Sequence, residues 1–174
     1  MKIKKLINDK KILIPYFFIQ GTLNINSDYF IKEIDKGVKE QNNKNFKTNI
    51  IGLMTSWQYF NNNHRFLKVI LPIFDYLDTV EKIKKYYLES AWGIKESFTH
   101  YTMKHDHVPN YLSGIIYLNS HTQTLLFPQI KVEYKPRKNS FLIFSSFLEH
   151  KTIRNTSHKS KYAISFNINR HANK

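Results

Sequence analysis

A chain of 174 residues, 41% hydrophobic and 15% aromatic, has enough apolar matter for one buried core, which excludes wholesale disorder. It contains no cysteine, so disulfide frameworks, zinc ribbons, thiol nucleophiles and iron–sulfur clusters are excluded. Lys and Arg number 27 against 13 Asp and Glu, leaving a formal charge of +14, an excess that draws acidic partners such as nucleic acid, anionic protein segments or carboxylated metabolites.

The basic residues are scattered, with no long basic run and no nucleic-acid-binding signature, and a lysine-rich composition would produce the same excess on any surface. No apolar run approaches the roughly 18–20 residues of a membrane span. The longest near the start, 12–19, is interrupted by Pro15 and lacks a small-residue cleavage site, so it reads as a buried strand and not as a signal peptide. No membrane association is expected, and the setting expected is cytoplasmic.

The chain reads as a single domain over 1–174, with a supporting region to residue 89 and the core and site in 90–174. Residues 11–19 are β-rich. A helix is predicted over 27–41, capped by Ser27 or Asp28, because Phe30, Ile31, Ile34 and Val38 recur at helical spacing. The segment 49–57 reads as a strand. A second helical stripe runs over 66–88 through Phe66, Val69, Ile70, Ile73, Leu77 and Val80, kinked or divided at Pro72.

From about Ser90 the period changes. Eight short apolar segments follow one another between turns: 91–98, 99–107, 111–119, 122–127, 129–134, 140–145, 149–155 and 161–169. That rhythm marks an all-β sandwich or barrel. In the last segment Tyr162, Ile164, Phe166 and Ile168 share one face, a core face for the helices to cover. Lys161, Ala163, Ser165 and Asn167 share the other, small and polar around one lysine as a lined pocket would be. Tyr111, Ser113, Ile115 and Tyr117 alternate in the same way with Leu112, Gly114, Ile116 and Leu118. The fold expected is mainly β with helices (α+β): a helix-covered eight-strand sandwich with one polar mouth.

His105-Asp106-His107 is the most informative tripeptide. On a strand, residues i and i+2 project from one face, so two imidazoles can grip one metal ion while Asp106 points away. His150, opening a predicted strand, is the candidate third ligand. Imidazole suits iron, zinc, copper or nickel, so the residues alone do not name the metal. In a chain with eight histidines the pair by itself is a weak signal. His64, His100, His121, His158 and His171 read as surface or supporting residues.

The order of features adds weight. His105-x-His107 is followed by Ser113-Gly114-Ile115-Ile116-Tyr117-Leu118, then His150, then Lys161-Tyr162-Ala163-Ile164-Ser165-Phe166-Asn167. This order resembles the Fe(II)- and 2-oxoglutarate-dependent oxygenases. The likeness is to prolyl-hydroxylase-like members, in a branch frequent among phage and marine microbial sequences, and it covers about 92–169.

The resemblance implies a double-stranded β-helix, or jelly roll. It implies Fe(II) held by His105, His107 and His150, with no catalytic residue beyond the metal site. It places Lys161 and Tyr117 on the distal carboxylate of 2-oxoglutarate, with Arg154 as an alternative anchor or substrate contact. Ser113, Ser165 and Asn167 become candidates for orienting ligands, and Trp92, Asn119, Tyr101 and Met103 for lining the mouth or meeting substrate. The implied reaction consumes O₂ and 2-oxoglutarate, releases succinate and hydroxylates an acceptor, with a protein, peptide or anionic macromolecule favoured by the charge.

Two features depart from the family pattern. His107 stands where most members carry Asp or Glu, which leaves the site one unit more positive, and Lys161 stands where Arg is common. Two competing readings use the same residues: a three-His cupin-like metalloprotein that does not use 2-oxoglutarate, and a basic binding module without catalysis.

Overall fold

The computed structural model describes residues 4–5, 15–41, 48–81 and 86–171. Twelve strands and two helices occur among them. In chain order these are β1 (Lys4–Lys5), β2 (Phe18–Thr22), α1 (Ser27–Glu40), β3 (Ile50–Ile51), β4 (Leu53–Met54), α2 (His64–Glu81), β5 (Tyr86–Glu96), β6 (Tyr101–Thr102), β7 (Leu112–Tyr117), β8 (Leu125–Phe127), β9 (Val132–Tyr134), β10 (Ser140–Ser145), β11 (Lys151–Thr152) and β12 (Lys161–Arg170).

Seven strands form the major sheet in the order β1-β2-β10-β7-β12-β5-β4. Facing it are a three-stranded sheet, β11-β8-β9, and a pair, β3-β6. Every pairing is antiparallel. This is a jelly roll with helices on one outer face.

The alternation read from β12 holds. Ile164, Phe166 and Ile168 are buried with Phe30 and Ile34 of α1 and with Phe66, Ile70, Ile73 and Leu77 of α2. The opposite face of the major sheet looks into the roll. There Tyr117, Leu142, Phe144 and Ala163 pack with Leu125 and Phe127 of the small sheet. A third cluster, Ile50, Met54, Trp92 and Ile94, closes one side. The helices therefore stabilise the sheet from behind and leave its inner face for the site.

Several expectations are corrected. The cap of α1 is Asn26, whose side-chain oxygen accepts from the Tyr29 N–H at 3.2 Å; Ser27 is buried and donates to Asn139 Oδ1 at 2.5 Å. α2 is one helix through Pro72, which lies on its exposed side, and it ends at Glu81. Residues 86–88 belong instead to β5, because Tyr86, Tyr87 and Leu88 pair with Arg170, Asn169 and Ile168 of β12. Non-local pairing there overrides a helical stripe.

The predicted strand 49–57 is two dipeptides on either side of Gly52, β3 pairing with β6 and β4 with β5. The predicted strand 11–19 begins outside the described residues and is observed as β2. The eight later segments all appear, with 99–107, 122–127, 129–134 and 149–155 shortened to two or three residues, and with residues 128–130 in a 3-10 turn.

Candidate metal centre

Backbone pairing brings the three histidines together. His105 and His150 sit opposite one another in an isolated antiparallel bridge, exchanging N–H···O bonds of 3.1 and 2.9 Å. The His107 N–H donates to the Ser146 carbonyl at 2.9 Å, which ties the same segment to the turn before His150. The potential ligand atoms of all three imidazoles lie within 4.8 Å of one another. His107 and His150 stack nearly parallel, at 9°, with their Nε2 atoms 3.3 Å apart. Two ligands at right angles on metal–nitrogen bonds of about 2.1 Å would stand about 3.0 Å apart, so this spacing suits a shared ion.

The tautomers follow from the hydrogen bonds. His105 Nδ1 lies 2.9 Å from the Met103 carbonyl and His150 Nδ1 lies 3.0 Å from the Leu148 carbonyl. A carbonyl only accepts, so both Nδ1 atoms carry the proton and both Nε2 atoms keep a lone pair. Burial lowers the pKa of all three rings; repulsion from neighbouring rings adds to it at His107 and His150, which fall to about 2 and about 3, while at His105 the Met103 carbonyl and Asp106 act against it. The rings are therefore neutral donors at pH 7. Neither nearby carboxylate joins them. Asp106 accepts from the Val108 N–H at 3.1 Å, and Glu149 pairs with Lys104 at 3.1 Å.

The cluster opens into a pocket lined also by Trp92, Ile94, Glu96, Ile115, Lys161 and Ser165. Lys161 and Glu96 are its only charged lining residues among those described, and they form an ion pair with each other. Both are buried, at 2% and 1% side-chain exposure. They face across the β12–β5 ladder, where Lys161 is in register with Glu96. Glu96 also accepts from Thr102 Oγ1 at 2.9 Å and Thr152 Oγ1 at 3.3 Å.

Trp92 Nε1, on the pocket wall, is buried without a partner; so is the hydroxyl of Tyr117, which the resemblance assigned to the co-substrate but which is not among the pocket's lining residues. Trp92 lies with its ring 6.0 Å from that of His107. Burial, then Tyr134 and Glu96, pushes the Tyr117 hydroxyl pKa upward, so it stays a neutral O–H. An orphaned buried donor costs about 1–3 kcal/mol. Together with the two fixed Nε2 lone pairs and the third imidazole beside them, the orphaned Trp92 N–H fits a site made to receive a metal ion and a polar small molecule.

Of the remaining residues singled out from the sequence, Ser165 and Trp92 line the pocket; the others do not. Ser113 donates to Asn167 Oδ1 at 2.8 Å, and Asn167 in turn donates to Ser90, so the two tie β7, β12 and β5 together. Asn119 bridges the Ser160 carbonyl and the Tyr162 N–H at 2.9 Å each, a strand-end clasp. Arg154 is exposed and stacks over Tyr101 with its guanidinium 5.1 Å from the ring centroid. Met103 is 41% exposed and contributes its carbonyl to His105. Glu96 was missed. Its parity with Trp92 and Ile94 was the available signal, a carboxylate ending an otherwise apolar inward face.

No family model matches the chain, and no curated protein matches it. Solved structures do. One is the viral collagen prolyl hydroxylase of Paramecium bursaria Chlorella virus-1 in complex with 2-oxoglutarate, at 16% identity over 87% of this chain and 94% of that one, with a TM-score of 0.67. Another is a Pseudomonas putida prolyl-4-hydroxylase, at 12% identity over 89% and 93%, TM-score 0.64. A third is a Trichoplax adhaerens prolyl hydroxylase bound to a hypoxia-inducible-factor peptide fragment, at 13% identity over 89% and 83%, TM-score 0.57. The chain shares the fold of these hydroxylases.

Proposed function

We propose that the protein is an Fe(II)-dependent oxygenase that consumes 2-oxoglutarate and O₂ and hydroxylates a protein, peptide or other anionic macromolecule. The observation that carries this reading is the meeting of His105, His107 and His150, with two Nε2 lone pairs fixed by backbone carbonyls, inside a jelly roll of the oxygenase type. The three imidazoles would hold the iron. Bound iron with its co-substrate supplies the oxidising chemistry, and the protein supplies position and exclusion of water.

Trp92, Ile94, Ile115 and Leu125 wall the pocket and keep bulk water from the metal. Lys161, buried in the pocket lining, is the cation toward which the far end of the co-substrate would reach. The +14 balance of the chain favours a substrate that carries negative charge.

The test is anaerobic titration of the protein with Fe(II) and then 2-oxoglutarate. A metal-to-ligand charge-transfer band is expected, and succinate is expected on admitting air. His150→Ala should abolish both. No band and no succinate from the wild-type protein would overturn the proposal.

A further inference from the structure

A lysine that is to bind a carboxylate should be free to do so, and Lys161 is not. Its ammonium is paired with Glu96, and the Glu96 carboxylate is held in place by the hydroxyls of Thr102 and Thr152. The Asn155 side chain donates to the Glu96 backbone carbonyl at 3.0 Å, which fixes the end of β5 as well. The acid is thus built in from β6, β11 and β12 and is not a surface group swung inward. The deep end of the pocket is neutral overall, one positive and one negative charge, among the described lining residues.

A second carboxylate brought to Lys161 must sit beside that of Glu96, where little water screens them. A neutral group meets no such repulsion. It can accept from the Lys161 ammonium while Glu96 stays in place.

The geometry points to Glu96 as a specificity-determining residue: paired with Lys161, it removes the preference for a dicarboxylate that a free lysine would give, so a 2-oxo acid with a neutral, hydrogen-bonding far end binds as well as 2-oxoglutarate. This rests on the proposed use of 2-oxoglutarate and specifies how the pocket reads its far end. The negative charge that such a ligand carries lies at its 2-oxo acid end, beside the three neutral imidazoles and their cation. Metal-site charge and distal-site charge are then divided differently from a pocket with an unpaired lysine.

The experiment measures equilibrium binding to the anaerobic Fe(II)-loaded protein, by quenching of tryptophan emission and by calorimetry. The probes are 2-oxoglutarate and 2,5-dioxohexanoate, in which an acetyl group of nearly equal size replaces the far carboxylate. In the wild-type protein the neutral probe should bind within threefold of 2-oxoglutarate or tighter. In Glu96→Gln, 2-oxoglutarate should bind at least tenfold tighter than in wild type, with the neutral probe changed less than threefold. A wild-type preference for 2-oxoglutarate of tenfold or more would overturn the inference and leave the oxygenase reading intact, and so would an unchanged ratio in Glu96→Gln. Failure of both probes to bind would overturn both. Should Glu96→Gln not fold, the wild-type ratio decides alone.

Discussion

Three imidazoles in mutual contact can all stay neutral only because the fold denies them protons. Burial is the larger cause and their repulsion the smaller, and together they hold His107 near 2 and His150 near 3. In the unfolded chain each titrates near 6.5. Below that value the unfolded state binds protons that the folded state refuses, so stability falls as pH falls and is level above about pH 7. Each full unit is about 1.4 kcal/mol per group. His107 and His150 together should cost the metal-free protein about 2 kcal/mol between pH 6 and pH 5. For a chain of this size that is a drop in Tm of about 4–8 °C. Thermal unfolding in the presence of a chelator measures it, and His150→Gln should roughly halve the slope. A flat profile would mean that the rings are not packed together as described.

At the scale of elements, the close seat of α1 on the major sheet depends on Gly93. A Cβ there would lie 2.4 Å from Ile34 Cγ1 and 3.2 Å from Ile34 Cβ, an atom too near its own backbone to swing away. Gly93→Ala should therefore push α1 off β5 and destabilise the protein by about 1–3 kcal/mol in urea unfolding. Metal binding should be unaffected, since Gly93 faces away from the pocket. The helical stripes and the two faces of β12 were legible in the sequence because both depend on local periodicity. So was the pairing of His105 with His107, which needs only the two-residue repeat of a strand. The lower end of β5 was not legible: 86–88 continues a helical pattern, and only its pairing with β12 decides otherwise. Glu96 escaped for the same reason. Its identity as the partner of Lys161 is a matter of register between strands 65 positions apart, and register is set by packing that no local pattern records.

At the scale of the molecule, the proposed ligands come from two segments more than forty residues apart, on the edge of the roll where strands are shortest. β6 and β11 are only two residues each, and the His105–His150 bridge is a single rung. The major sheet is long, continuous and backed by both helices, so most of the stability lies there, and the edge that carries the site is held by few bonds. An ion gripping His105, His107 and His150 would cross-link that edge, and because the unfolded chain offers no such cluster, its binding energy adds to folding. At a free metal concentration a hundredfold above its dissociation constant the gain is about 2.7 kcal/mol, or about 5–11 °C in Tm for a domain of this length. Fe(II) under anaerobic conditions, or Ni(II) or Zn(II) in air, should give that rise. His150→Ala should remove it, whereas His158→Ala, at an exposed ring stacked on Phe98, should keep it. Hydrogen exchange should show the added protection first at the His105 and His150 amides, which bond to each other across the bridge. A Tm indifferent to all three metals would show that the histidines do not act as one ligand set.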